Sequence, residues 1–209
     1  MEKITTVEFD RADQDVSPRT AMQAVIHRGA CAIHNFVSYE RLQPAAELLR
    51  SQQMTLDEDL EARVQRRQHM SEFTVSAPET PEALASLTGE VWAYVSRGDF
   101  VWAPNEIIAH RYEATDFIGR HRDYSEAVGL IAVLTLDGEQ DFYVELDGDK
   151  EATKIAMRPG TLTMLRGFNG NLEARPYHWV GRPSSQRTAL SIRDMRHVWT
   201  PKPGEGSWD

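Results

Sequence analysis

The spacing of apolar residues changes period part-way along this chain. Up to about residue 99 it is mostly helical, and after Phe100 it alternates. Ser17 followed by Pro18 gives a cap and a proline at the first helical position, and Gly29 stops that helix. "ACAIHNF" predicts a short strand, and residues 38–53 a helix that Pro44 splits or delays. Thr55 and Glu58 form a capping box at the head of "TLDEDLEARVQRRQH", which predicts a further helix there. Thr80-Pro81 opens the last one, through "EALASLTGEVWAYVSRG". Leu84, Leu87, Val91, Tyr94 and Val95 share one face of it, and Gly98 ends it.

The second half reads as strands: "NEIIAHRY", "GLIAVLTL", "QDFYVEL", "TKIAM", "TLTMLR", "YHWV" and "RTALSIR", separated by Asp-Gly, Pro-Gly and Asn-Gly turn signals. No crossover helix lies between them, which argues against a parallel α/β sheet. The expected fold is mainly β with flanking α, a jelly-roll core with the amino-terminal helices packed outside. In this reading one domain spans 1–209: a helical part to about 99, a core over about 100–197, and a loose tail at 198–209.

Composition narrows the classes. A chain of 209 residues can bury a core without staples, and its one thiol, Cys31, rules out a disulfide framework, Cys-ligated zinc or an iron–sulfur cluster. The charged amino terminus lacks the apolar core of a signal peptide, and the apolar run Leu130–Leu136 is too short to span a bilayer. A cytoplasmic protein with no membrane partner is the expectation. Net charge is -9, the basic residues are scattered singly, and "LDGEQDFYVELDGDKE" is an acidic hairpin. That argues against a nucleic-acid partner, although a local basic patch would count for more than net charge. Nothing in the sequence speaks to oligomeric state.

The candidate chemistry begins in "GRHRDYSE". His121 and Asp123 stand two apart, and "RPYHWVGRPSSQRTALSIRDMR" adds His178. Two histidines and a carboxylate on one face of a metal leave positions open, the arrangement of non-haem Fe(II) oxygenases, and there is no obvious fourth ligand for a closed zinc site. "GRPSSQ" reads as a turn returning the chain antiparallel to the His178 strand. Alternation in "RTALSIR" then places Arg187, Ala189, Ser191 and Arg193 on one face and Thr188, Leu190 and Ile192 on the other. Two arginines facing an apolar barrel need a partner, and a dicarboxylate suits guanidinium forks. At about 3.3 Å per residue they lie about 20 Å apart along the strand, so one grips the far end of such a ligand and the other sits nearer the metal.

His121-x-Asp123, His178, and Arg187 nine residues later resemble the Fe(II)/2-oxoglutarate-dependent dioxygenase superfamily. "PNEIIAHRY", nine residues from Tyr112 to His121, and Arg-x-x-x-Ser-x-Arg are similar to its AlkB-like branch, over roughly 104–196. "GACAIHNFVSYERLQPAAELL" is similar to the strand and helix that often precede that core. The resemblance implies a double-stranded β-helix, with Fe(II) held by His121, Asp123 and His178. It further implies 2-oxoglutarate held by Arg187, with Tyr112 and Ser191 as further contacts and Arg193 near the metal end. It also implies O2 as oxidant, with succinate and CO2 as co-products of a hydroxylation or oxidative demethylation. The sequence departs from the branch where His110 and Ala189 replace Asn, and in a shorter loop between His178 and Arg187. Asp123 argues against the halogenating members, which carry a small residue there.

Each piece alone has an ordinary explanation: a chance His-x-Asp, a core histidine, a solvated arginine face. Their order on one kind of sheet favours the metal. His27, His34, His69 and His197 read as surface or structural, and Trp179 as pointing into the sandwich core. His110, which alternates with Tyr112, and Arg122 are candidate substrate contacts. The expected substrate is a small polar metabolite or natural-product intermediate. An alkylated nucleobase or nucleic acid, and a non-catalytic carboxylate-binding jelly roll, are the alternatives.

Overall fold

Ser17 caps the first helix as its sequence predicts: its Oγ accepts from Thr20 N at 3.1 Å, with Pro18 in the first turn. The helix, α1 (Pro18–Arg28), ends on Gly29 at φ 95°, in the left-handed region that favours glycine. The computed structural model describes residues 7–10 and 16–196. His197, the tail at 198–209 and most of the charged amino terminus lie outside the described residues.

Helix α2 (Tyr39–Ser51) runs unbroken through Pro44, which neither splits nor delays it. The missing N–H costs one bond in the second turn, and Leu42, Ala45, Ala46 and Leu49 bury a continuous stripe that offsets it. Helix α3 (Glu82–Ser96) buries the predicted face, with Leu84, Leu87, Val91, Tyr94 and Val95.

Among the described residues the strands are β1 (Glu8–Asp10), β2 (Ala30–His34), β3 (Thr55–Asp59), β4 (Arg66–Thr74), β5 (Glu106–Tyr112), β6 (Phe117–His121), β7 (Ala127–Asp137), β8 (Gln140–Val144), β9 (Thr153–Met157), β10 (Leu162–Arg166), β11 (His178–Val180) and β12 (Arg187–Met195). The order β1-β2-β10-β7-β12-β5-β4 makes one sheet and β6-β11-β8-β9 the other. Strand β4 joins them, pairing with β5 through 69–74 and with β6 through 66–67. This is the double-stranded β-helix expected from the sequence.

Alternation on β7 sorts the two cores. Leu130, Ala132, Leu134 and Leu136 face the helices, while Ile131 and Val133 face the space between the sheets. Inside that space Tyr112, Phe142, Val144, Ile155, Met157, Leu165 and Val180 pack together. The helices thus cover the outer face of the larger sheet and leave the barrel interior for the site.

Three further expectations are corrected. Residues 55–74 form the β3–β4 hairpin, not a helix. The capping-box signal is local, and pairing of β4 along the whole edge of β5 outweighs it. Strand β12 does not return against β11; it pairs with β5 and β7, while β11 pairs with β6 and β8. "GRPSSQ" therefore carries the chain from one sheet to the other. Trp179 points away from the barrel, half-buried and stacked on Tyr143 at 5.2 Å between centroids.

Candidate metal centre and cosubstrate cavity

Strand β6 delivers His121 at its last position, and Asp123 follows in the loop. Across the smaller sheet His178 stands directly opposite His121 in register. The two rings are 4.3 Å apart between centroids, and Asp123 Oδ2 lies 3.3 Å from His178 Nε2. One nitrogen from each histidine and one carboxylate oxygen lie within 4.8 Å of one another, and all three residues are buried.

The backbone sets what these rings offer. His121 Nδ1 lies 2.8 Å from Gly119 O and His178 Nδ1 3.2 Å from Pro176 O. A carbonyl only accepts, so each Nδ1 carries the proton and each Nε2 keeps a lone pair. Burial lowers the His121 pKa to about 4, reinforced by His178 beside it, so its imidazole stays neutral at neutral pH. Burial alone would raise the Asp123 carboxyl, but the Arg193 guanidinium against it holds it well below the usual carboxylate range. Three acceptors converging without a donor among them make a donor set for a cation, and two imidazoles with a carboxylate suit Fe(II).

Strand β12 supplies the rest. Its face bearing Arg187, Ala189, Ser191 and Arg193 lines an inner cavity of about 60 Å³, together with the three candidate ligands, His110 and Tyr112. Thr188, Leu190 and Ile192 turn the other way, and Leu190 and Ile192 join the helix-covered core. Arg187 is the largest fully buried side chain among the described residues, at 1% exposure. Among the described residues its guanidinium reaches only neutral acceptors, Gln140 Oε1 and Thr135 Oγ1, each at 2.9 Å, and its Nε has no partner. Burial pulls its pKa down to about 10, so it remains a cation at neutral pH. A buried cation with no carboxylate against it fits an anionic ligand.

The remaining residues divide. Tyr112 is in register with Arg187 and donates its hydroxyl to Gln68 Oε1 at 3.2 Å. The Ser191 hydroxyl is buried on the cavity wall with no hydrogen bond among the described residues. Arg193 donates to Asp123 Oδ1 at 3.0 Å and lies 3.8 Å from Glu106 Oε2, so it is spent on the candidate ligand carboxylate. His110 lines the inner cavity and is held neutral, its pKa pulled to about 3 by burial, then by Arg193 and Arg187. Arg122 is not brought to the site: it pairs with Glu173 at 2.8 Å and covers the Tyr177 ring. It is one residue from His121, so alternation turns it outward.

Sequence reasoning missed four residues. Thr135 is the polar member of an inward row otherwise made by Ile131 and Val133, which is a readable signal. Gln140 gives no such sign. Arg175, whose guanidinium donates to the Asp123 backbone carbonyl, and Gln68, on the misread β4, needed the tertiary structure.

An outer cavity of about 260 Å³ adjoins the inner one, sharing His110, Ile118, His121 and Arg193 with it, and adds Asp57, Arg66, Gln68, Met70, Glu72, Ile108 and Tyr124. Strands β3 and β4 thus build the approach to the three candidate ligands.

No protein-family model and no curated protein matches the chain by sequence. Solved structures do match by fold. A Pseudomonas putida prolyl-4-hydroxylase aligns with a TM-score of 0.67 at 16% identity, covering 84% of this chain and 97% of that one. A Trichoplax adhaerens prolyl hydroxylase, in complex with a hypoxia-inducible-factor peptide fragment, aligns at 0.66 with 15% identity, covering 82% and 86%. SnoN, a non-haem α-ketoglutarate-dependent epimerase from nogalamycin biosynthesis, aligns at 0.65 with 13% identity, covering 89% of each chain. The fold is therefore that of the Fe(II)/2-oxoglutarate oxygenases. Among the described residues no helix is long and apolar enough to cross a membrane.

Proposed function

We propose that this chain is an Fe(II)/2-oxoglutarate-dependent oxygenase that hydroxylates, or oxidatively demethylates, a small polar metabolite or natural-product intermediate. One observation carries the reading. A single cavity holds three converging acceptors at one end and a buried guanidinium without an anion near the other. His121, Asp123 and His178 would hold the iron; with O2 and 2-oxoglutarate it supplies the oxidising chemistry and leaves succinate and CO2.

The chain's own residues bind and orient. Arg187 grips the distal carboxylate of the cosubstrate, and Thr135 and Gln140 hold the guanidinium plane for it. Ser191 offers a hydroxyl along the same wall, while the Tyr112 hydroxyl donates to Gln68 Oε1 and leaves only its ring and lone pairs to that space. Arg193 orients Asp123 and keeps it ionised. Ile131, Val133, Phe142, Met157, Leu165 and Val180 keep that space apolar, which strengthens every charge interaction in it.

The outer cavity sets Asp57 and Glu72 against Arg66 and Arg193, so it offers no basic stripe to a phosphate backbone, which favours a free small molecule over an AlkB-like nucleic-acid substrate. The neighbours span both a prolyl hydroxylase with a bound peptide fragment and an epimerase of an antibiotic pathway, so the fold leaves the substrate open. The test is succinate release by the Fe(II)-loaded protein under air, then turnover on polar metabolites beside methylated oligonucleotides. No succinate from any of them refutes the enzyme reading and leaves the non-catalytic one. Oligonucleotide turnover alone refutes the substrate class.

A further inference from the structure

A chain of hydrogen bonds runs from the outer cavity to the wall between the two cavities. Arg66 Nε donates to both oxygens of Asp57, at 3.0 and 2.9 Å. Gln68 Nε2 donates to Asp57 Oδ2 at 3.1 Å. A carboxylate only accepts, so the Gln68 amide has one sensible orientation, with its carbonyl oxygen on the other side. That oxygen faces His110 Nδ1 at 2.9 Å and the Tyr112 hydroxyl at 3.2 Å. Both must donate to it. His110 therefore carries its proton on Nδ1 and keeps a bare lone pair on Nε2.

The ring is 7% exposed and lines both cavities, and Nε2 has no hydrogen bond among the described residues. An acceptor there cannot take a carboxylate, so it does not serve a dicarboxylate cosubstrate. Nor does it join the converging ligand atoms of His121, Asp123 and His178.

We infer that His110 Nε2 is a specificity-determining acceptor that selects a substrate bearing an N–H or O–H donor at the junction of the two cavities. Asp57, through Gln68, acts as a positioning residue, because it fixes the tautomer without touching the substrate. This rests on the oxygenase reading only for the bound molecule being a substrate; the hydrogen-bond polarity does not depend on it.

Long-range ¹H–¹⁵N correlation on the full chain, metal-free and loaded with Zn(II) and 2-oxoglutarate, reads the tautomer. The His110 signals, assigned by their loss in His110→Phe, should show a protonated Nδ1 and a bare Nε2 in both states. 1-Propanol and propionate, two fragments of one size, are then titrated while the Nε2 resonance is followed. One net hydrogen bond is worth a factor of about two to ten, so propionate should bind at least about threefold more weakly than 1-propanol. His110→Phe should abolish the difference between alcohol and carboxylate. Gln68→Met, which keeps the side-chain length and removes the acceptor, should mix the two tautomers while the remaining amide spectrum holds. A protonated Nε2 in the wild type, or propionate binding as tightly as 1-propanol, overturns the inference. Failure of the oxygenase reading would show separately, as absence of succinate, with these titrations unchanged.

Discussion

Replacing Arg187 by Lys keeps a positive charge on β12 and removes the planar fork. The guanidinium is held on two sides, by Gln140 Oε1 and Thr135 Oγ1 at 2.9 Å, so its plane is set before any ligand arrives. An ammonium at the same depth offers a point charge and leaves one of those acceptors without a donor. A charge-assisted hydrogen bond is worth about 1.5–3 kcal/mol. Losing one should therefore weaken 2-oxoglutarate binding by about one to two powers of ten. Iron affinity without cosubstrate should hardly change, because Arg187 touches none of His121, Asp123 or His178 among its hydrogen bonds. The neighbouring Thr188 gives the control. Its side chain is buried on the opposite face and its Oγ1 has no partner, so Thr188→Val keeps the shape and removes an unsatisfied hydroxyl. Titration of 2-oxoglutarate into anaerobic Fe(II) protein, followed by the visible charge-transfer band, measures both variants. Equal losses at the two positions, or none at Arg187, would refute the assignment of the carboxylate to this strand face.

The other predictions use different readouts. His178→Ala should abolish succinate formation and Fe(II) binding by calorimetry while circular dichroism stays native; normal turnover would sink the proposed triad. Asp123→Ala should also cost about 3–5 kcal/mol in urea unfolding of the metal-free chain, because it leaves the buried Arg193 with only Glu106 at 3.8 Å. Gln140→Leu should raise the 2-oxoglutarate concentration needed for half-maximal turnover by about tenfold, without moving iron affinity, since one net hydrogen bond holds the clamp there. His110 is neutral when folded, with a pKa of about 3 against an ordinary 6.5, so its protonation favours the unfolded chain. Its contribution to stability is whole above about pH 6.5 and falls by about 1.4 kcal/mol per unit as pH drops towards the folded value. Urea midpoints of metal-free wild type and His110→Asn between pH 7 and 4.5 should diverge accordingly, and parallel curves would contradict it.

Local chemistry in the sequence determined the elements whose signals are short-range. The Ser17–Pro18 start and Gly29 stop of α1, the buried stripe of α3, and seven of the eight strands described after Phe100 all follow from spacing; β6, which carries His121, is the one that the alternation did not mark. So does the split of β12, because side chains two apart must share a face whatever the strand pairs with. Three things needed the tertiary structure. The β3–β4 hairpin carries a helix-start signal and becomes strand only because β5 offers an open edge. The partners of β11 and β12 depend on which sheet each joins, and a turn motif cannot specify that. Finally, the polarity of His110 is decided by Asp57 and Gln68, which lie 53 and 42 positions away in the chain and meet it only through that hairpin. Alternation could place the ring on the right face, but its proton is assigned by neighbours that only folding brings together.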